Sequence, residues 1–321
     1  MDGATALGAL RNSTLVMVGN FDGVHRGHQW VLRLGLDAAR RANLLPVVLT
    51  FHPHPSEVLG RGTQPVLTPL DRKVDLLARL SPELRIVVEP FTMDLAAASP
   101  RLFASGLLQE RLGAHTVMVG ENFRFGRSRE GDAAVLGELG RELGFEAHAQ
   151  SLHADPSGVI SSTRIRELIG AGAVDEAEQL LGRPHAISGV VQPGDQRARQ
   201  LGVPSANLGE VRELMPARGV YAVLVDVLEG TAYEKLGVGI ANIGVRPTHG
   251  AGDLRAEVHL LGYSGDLYGK ALRTHWVAKL RDERRFPNLD ELRAQLEQDK
   301  QDGAERLAGR VPDAMARGAW H

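Results

Sequence analysis

The sequence predicts two domains of different class: an open α/β domain built on a parallel sheet, then a smaller antiparallel β domain, barrel or sandwich, that ends in a helix. Three observations predict it. The chain has 321 residues, long for one domain when a domain takes roughly 100–200. In its first part, short β-like runs alternate with helical stretches of about 10–15 residues, the mark of parallel βαβ units. In its second part, β-rich runs follow one another with glycine and proline between them and no helix until the end. The pattern changes near Arg183-Pro184, which sets the expected domains at 1–185 and 186–321.

The elements follow in order. Residues 15–19 form a short apolar strand and 29–42 a helix; 47–51 is a second strand. The next helix, 69–80, carries Leu70, Val74, Leu77 and Leu80 at helical spacing. Strand 85–88, helix 100–112, strand 116–120, helix 133–143 and strand 146–150 complete the alternation. Two short helices, 163–169 and 174–181, end at Gly170 and Gly182. Beyond the boundary, 187–192, 219–228, 237–243 and 255–261 read as strands, and 289–307 as the terminal helix.

Composition narrows the function. The chain has no cysteine, which excludes disulfides, a cysteine nucleophile, thiolate zinc and iron–sulfur clusters. With 37 basic and 39 acidic residues the net charge is −2. No strongly basic domain stands out, so nucleic acid is not the expected partner. The longest apolar run, 44–49, contains a proline and is far shorter than the roughly 18 residues of a membrane span. Met1-Asp2-Gly3-Ala4-Thr5 has no basic segment leading into an apolar one, so no secretory signal is read and a cytoplasmic protein is expected.

The most informative stretch is Val18-Gly19-Asn20-Phe21-Asp22-Gly23-Val24-His25-Arg26-Gly27-His28. An apolar strand runs into a turn rich in glycine, asparagine and aspartate, and a helix begins beyond it. Glycines let backbone approach a ligand, and a helix N-terminus presents free N–H groups to an anion. His25 and His28 are three apart, on one face of a first helical turn, where two imidazoles can donate to a triphosphate and to a phosphorus transition state. Two other readings compete: a His-x-x-His metal site, which has no cysteine or carboxylate partner nearby, and two solvated histidines on an ordinary strand–turn–helix. The glycine spacing matches neither the dinucleotide fingerprint nor the Walker loop.

The block Gly19–His28 resembles the His-x-Gly-His motif of the nucleotidylyltransferase superfamily. In its Gly-Asn-Phe-Asp-Gly-Val-His form it is similar to the prokaryotic bifunctional FAD synthetases, which join a riboflavin kinase to an FMN adenylyltransferase. Further blocks stand in that family's order: Thr50-Phe51-His52-Pro53-His54-Pro55, Val119-Gly120-Glu121-Asn122-Phe123-Arg124-Phe125-Gly126 and Ile160-Ser161-Ser162-Thr163-Arg164-Ile165-Arg166. The first three blocks sit at carboxyl ends of strands, where open α/β sheets bind ligands. The hydroxyls 161–163 open a helix and suit either phosphate or plain N-capping. The resemblance implies a Rossmann-like first domain with His25 and His28 as catalytic donors. It implies a phosphate-binding turn of Gly19, Asn20, Phe21, Asp22 and Gly23, and nucleotide contacts at Asn122, Ser162, Thr163 and Arg166. His54 is a further candidate.

In the second half, Gly202-Val203-Pro204-Ser205-Ala206-Asn207-Leu208 offers a hydroxyl and an amide oxygen two residues apart, which can reach a hard cation or merely form a Pro-Ser turn. In Arg255-Ala256-Glu257-Val258-His259-Leu260, a strand would place Glu257 and His259 on one face. An inward Glu257 among apolar residues would be a candidate general base; an outward one would be an exposed strand residue. This region resembles the riboflavin kinase domain, whose usual motif is Pro-Thr-Ala-Asn. The blocks at 239–248, 257–261, 265–269 and 280–286 continue the resemblance. It implies an antiparallel barrel, Mg²⁺ held by Ser205 and Asn207, and Glu257 as the base that takes the ribityl hydroxyl proton. Riboflavin, FMN and ATP would be the partners and FAD the final product. Two departures weaken the kinase part. Ser205 replaces the usual threonine, and Ala198 replaces a usual glycine, at a strain of about 1–2 kcal/mol if that position needs positive φ.

Overall fold

The structure, a computed structural model, describes residues 12–60, 65–193, 205–245 and 254–310. The chain divides into two compact units, 1–64 with 68–161 and 65–67 with 162–321.

In the first unit, β1 (Thr14–Val18), α1 (Arg26–Ala42), β2 (Leu45–His52), the single turn α2 (Pro55–Val58), α3 (Leu70–Ala78) and β3 (Arg85–Pro90) are followed by α4 (Met93–Ala97). Then come α5 (Pro100–Leu102), which continues as a π-helical stretch Phe103–Arg111, β4 (Ala114–Gly120), α6 (Ala133–Leu143), β5 (Glu146–Gln150) and a small hairpin, β6 (Ala154–Asp155) with β7 (Gly158–Val159). The five main strands form a parallel sheet in the order β3-β2-β1-β4-β5. Every residue of β1 is buried, because both faces of the sheet are covered. Leu15 and Met17 join Leu32, Leu36 and Leu77 of α1 and α3 on one face. Val16 and Val18 join Leu107, Leu108 and Leu136 on the other. The alternation of strand side chains thus divides one apolar run between two cores. The sheet is wound outward from β1 in both directions, so the β1/β4 crevice is its topological switch point, where such sheets bind ligands. The helix read at 100–112 is present, but most of it is π-wound, a local feature that the apolar spacing did not signal.

The second unit opens with α7 (Ser162–Ala171) and α8 (Val174–Leu181). Six strands follow: β8 (His185–Gln192), β9 (Ala206–Gly209), β10 (Gly219–Glu229), β11 (Ala232–Val245), β12 (Leu254–Leu260) and β13 (Ala271–Arg281). They close into an antiparallel barrel in the order β10-β11-β12-β9-β8-β13. The choice between barrel and sandwich is therefore decided for the barrel. Tyr221, Val223, Val225 and Val227 of β10 face its interior with Ala256, Val258, Leu260, Leu272 and Trp276. The opposite face of β10, at Ala222 and Leu224, packs with Val277 against Leu307 of the terminal helix α9 (Leu289–Leu307). Asp299 of α9 is buried and receives both Nε and Nη2 of Arg281, at 2.8 and 2.7 Å.

Two features differ from the sequence pattern. Val174 of α8 lies in the barrel core, so α7 and α8 belong to the barrel's compact unit. The units divide after Ser161, earlier than the change of pattern at 183–184. Strand β13 also went unread, because Arg273-Thr274-His275 interrupts its apolar run. All three are buried, and His275 Nε2 lies 2.7 Å from Asp226 Oδ2 on β10.

Candidate active sites

The first site grows from the end of β1. Gly19 closes the strand, and the chain turns through Phe21, Gly23 and Val24 at φ of +50°, +86° and +39°. His25 is then the N-cap of α1, its Nδ1 accepting the backbone N–H of His28 at 3.2 Å. A neutral His25 therefore carries its proton on Nε2 and presents a donor there. The two imidazoles stack with centroids 3.5 Å apart, and Phe21 packs edge-on against His28 at 5.2 Å. The first turn of α1 contains no acidic residue, so its N–H groups and dipole favour an anion. Gly27 lies against the carbonyl of Ile160: a Cβ there would stand 3.2 Å from that oxygen. The glycine of the motif thus lets the backbone before Ser161 come close to the histidines' helix.

The other residues of the turn point inward. Asp22 Oδ1 accepts the N–H of Thr68 at 3.0 Å, and Gly23 N–H donates to Thr68 Oγ1 at 2.8 Å. The carbonyl of Asn20 accepts from Lys73 Nζ and from Thr50 Oγ1, both at 3.1 Å. Burial pushes the Lys73 ammonium's pKa down, and the neighbouring Asp22 partly opposes the shift. The sequence did not single out Thr68 or Lys73: Lys73 lies within the amphipathic helix read at 69–80, and Thr68 just before it. Their burial, with that of Arg72, is the departure from that pattern. His54 caps α2, and its Nε2 stands 3.4 Å from Asn20 Nδ2, so the structure brings this candidate to the turn. Asn122 is exposed just beyond β4, its Oδ1 turned back toward Gly120. Ser162 and Thr163 stand in the first turn of α7, in the second unit, where Arg166 Nε donates to the carbonyl of Pro65 at 3.4 Å.

On the barrel, Glu257 of β12 lies directly opposite Asn207 of β9 on one side and Asn242 of β11 on the other. Ala256, Val258 and Leu260 take the interior positions, so Glu257 faces outward and is exposed. Of the two positions left open for Glu257, the outward one is taken, because the alternation of β12 gives its apolar members the core. Asn242 is a residue of this row that the sequence reading did not single out, and its cross-strand register is what places it there. Ala198 and the block 246–248 lie outside the described residues.

Two family models match the chain, FAD synthetase over residues 9–164 and riboflavin kinase over 181–307. The bifunctional riboflavin kinase/FMN adenylyltransferase of Escherichia coli (strain K12) is 39% identical over 293 residues, covering 91% of this chain and 92% of that protein. This chain belongs to the bifunctional riboflavin kinase/FMN adenylyltransferase family. The family's protein from Bacillus subtilis (strain 168) is 35% identical, covering 90% of this chain and 91% of that protein. A crystal structure of a protein named macrolide-efflux protein, from Streptococcus pneumoniae, has 30% identity and a TM-score of 0.80, covering 94% of this chain and 96% of that one. Among the described residues no helix is long and apolar enough to cross a membrane.

For a riboflavin kinase/FMN adenylyltransferase, the barrel's donors can be tested against the cation that the resemblance implies. Ser205 and Asn207 are half-buried and two residues apart, and Asn207 faces the Glu257 carboxylate across the ladder. All three donors are oxygens, the ligand type Mg²⁺ prefers. Among the described residues no group of three or more His, Asp or Glu side chains could hold a metal.

Proposed function

We infer that this chain makes FMN and then FAD: it phosphorylates riboflavin with ATP and transfers AMP from a second ATP onto FMN, releasing pyrophosphate. The stacked His25–His28 pair at the head of α1, outside the switch point of the first sheet, carries the adenylyl-transfer part of this reading. There an FMN phosphate oxygen attacks the α-phosphorus and the bond to pyrophosphate breaks. The nucleophile is already an anion, so no base is required. His25, through Nε2–H, and His28 stabilise the charge that grows on the phosphoryl oxygens. The turn Gly19-Asn20-Phe21-Asp22-Gly23 borders the phosphates. By their motifs, Asn122, Ser162, Thr163 and Arg166 contact the nucleotide. Residues 1–185 carry this chemistry, and 186–321 carry the kinase.

In the kinase, Glu257 takes the proton of the ribityl 5′-hydroxyl as the hydroxyl oxygen attacks the γ-phosphorus of ATP and the bond from that phosphorus to the bridging oxygen breaks, releasing ADP. Ser205 and Asn207 would hold Mg²⁺, which would neutralise phosphate charge. Positioning and charge neutralisation supply most of the catalysis. The place of Glu257 directly across the ladder from Asn207, one of the two residues read as cation ligands, supports this role. The partners are small molecules, riboflavin, FMN and ATP, and the site of action is the cytoplasm.

A chromatographic time course with riboflavin, ATP and Mg²⁺ tests the whole reading. Riboflavin should pass to FMN and then FAD, with pyrophosphate released, and EDTA should stop phosphorylation. FAD formed from supplied FMN, with none from riboflavin, would leave the barrel a flavin-binding module without turnover. FMN that never becomes FAD would remove the role given to His25 and His28.

A further inference from the structure

The turn that presents His25 does not hold its shape by local preference. Phe21 and Val24 lie at positive φ, a region that glycine takes freely and a β-branched residue almost never does. Such backbone persists only where its surroundings over-determine it. The surroundings here converge on Thr68, two residues before the start of α3. Its hydroxyl accepts the Gly23 N–H at 2.8 Å and lies 3.3 Å from Asp22 Oδ1, to which it donates. Its own N–H donates to the same carboxylate oxygen at 3.0 Å. Asp22 and Thr68 are each 5% exposed, so water is a poor substitute for these bonds. On the other side of the turn, Lys73 Nζ fixes the Asn20 carbonyl. Asp22 and Gly23 stand three and two residues before His25, whose backbone and Nδ1 set the first turn of α1. A rotation of the Asp22–Gly23 peptide is therefore passed directly to His25 and, through the stacked rings, to His28.

We propose that Thr68 is a positioning residue for adenylyl transfer: its hydroxyl clamps the strained turn so that the two imidazoles are preorganised toward the reacting phosphorus. The proposal rests on the reading of His25 and His28 as the phosphate donors. Preorganised donors contribute only while their placement is fixed, and a displacement of about 1 Å can cost around 10²-fold.

The test is Thr68→Val, which keeps the shape and removes the hydroxyl, beside Thr68→Ser, which keeps the hydroxyl, in the full chain. FAD formation from FMN in Thr68→Val should lose roughly 10- to 100-fold in kcat, with KM for ATP changed far less. Thr68→Ser should restore most of that loss, and riboflavin phosphorylation by the same preparations should be unchanged. Amide exchange at the Gly23 N–H should quicken in the valine variant only. A wild-type kcat in Thr68→Val, an equal loss in both variants, or a change confined to KM would each overturn the clamp. If Thr68→Val does not fold, Lys73→Met, which withdraws the bracket on Asn20, should show the same selective loss of kcat; a wild-type rate there would overturn the proposal equally. His28→Ala is assayed in parallel. Retained adenylyl transfer in His28→Ala would bring down the reading of the histidines and the proposal with it, whereas an inactive His28→Ala beside an unaffected Thr68→Val would bring down only the clamp.

Discussion

At the end of β1 the candidate donors His25 and His28 follow a turn with three residues at positive φ, and buried groups from far along the chain, Thr68 and Lys73, bond to it. On the barrel, Asn207, Glu257 and Asn242 stand on three paired strands, and the ladder alone fixes their spacing. The first site combines positive-φ backbone with buried polar groups beside the stacked His25–His28 pair. The second carries an exposed Glu257 between half-buried Asn207 and Asn242 on the ladder of a closed barrel. A turn held by tertiary bonds should be sensitive to changes around it. A row carried on a closed ladder should be sensitive mainly to the reacting side chain itself.

The sharpest way to probe the second half of this comparison is Glu257→Gln, which keeps size and strand register and removes proton acceptance. Riboflavin phosphorylation should fall by roughly 10²–10⁴, with flavin affinity little changed. Adenylyl transfer from supplied FMN should stay at the wild-type rate. The measurement is FMN production at saturating ATP and Mg²⁺, and a wild-type kinase rate would leave the barrel without its base.

His28→Ala probes the first half. Removal of one preorganised donor should slow FAD formation from FMN by on the order of 10²–10³, and FMN formation from riboflavin should be unchanged. Equal loss of both activities would mean that the two sites do not work separately, and the contrast drawn between them would fail.

The smallest effect expected is on stability, where the two units carry buried charges of opposite sign. Burial raises the pKa of Glu213 in the second unit above its ordinary 4.5, although Ser188 and Arg212 N–H groups bond to it at 3.0 and 3.2 Å. The folded state therefore binds this proton more tightly than the unfolded state. The resulting stability is complete below about 4.5 and is lost as pH rises through the raised value. For Lys73 in the first unit the folded pKa is lowered below 10.5, so the unfolded state holds the proton more tightly, and stability should rise with pH between the lowered value and 10.5. Calorimetric melts of wild type and Glu213→Gln across pH 4 to 8 check the first sign: the wild-type transition should fall with pH relative to the variant. Parallel profiles would show that Glu213 contributes no such linkage.

Much of both sites is legible in the sequence because their chemistry is written in short spacings. His25 and His28 are three apart, Ser205 and Asn207 two apart, and each spacing survives into helix or extended chain unchanged. The alternation of strands with helices in the first part, and of apolar with polar residues in β12, follows from side-chain periods of 3.6 and 2. Those periods fix which residues share a face. They do not say which face becomes the core, and so the outward position of Glu257 was decided only when Ala256, Val258 and Leu260 found Trp276 and Tyr221. The same holds for Val174, which took α8 into the barrel's unit, and for Arg273, Thr274 and His275, polar residues that a buried strand can carry because partners such as Asp226 satisfy them. Thr68 and Lys73 are the extreme case. Nothing in their neighbourhood marks them, because the groups they satisfy, Asp22, Gly23 and the carbonyl of Asn20, are 46, 45 and 53 residues away. Local sequence determined the chemistry the chain could present. Packing of the sheet and closure of the barrel decided where each group points, because only tertiary packing chooses which polar groups leave water and must find one another.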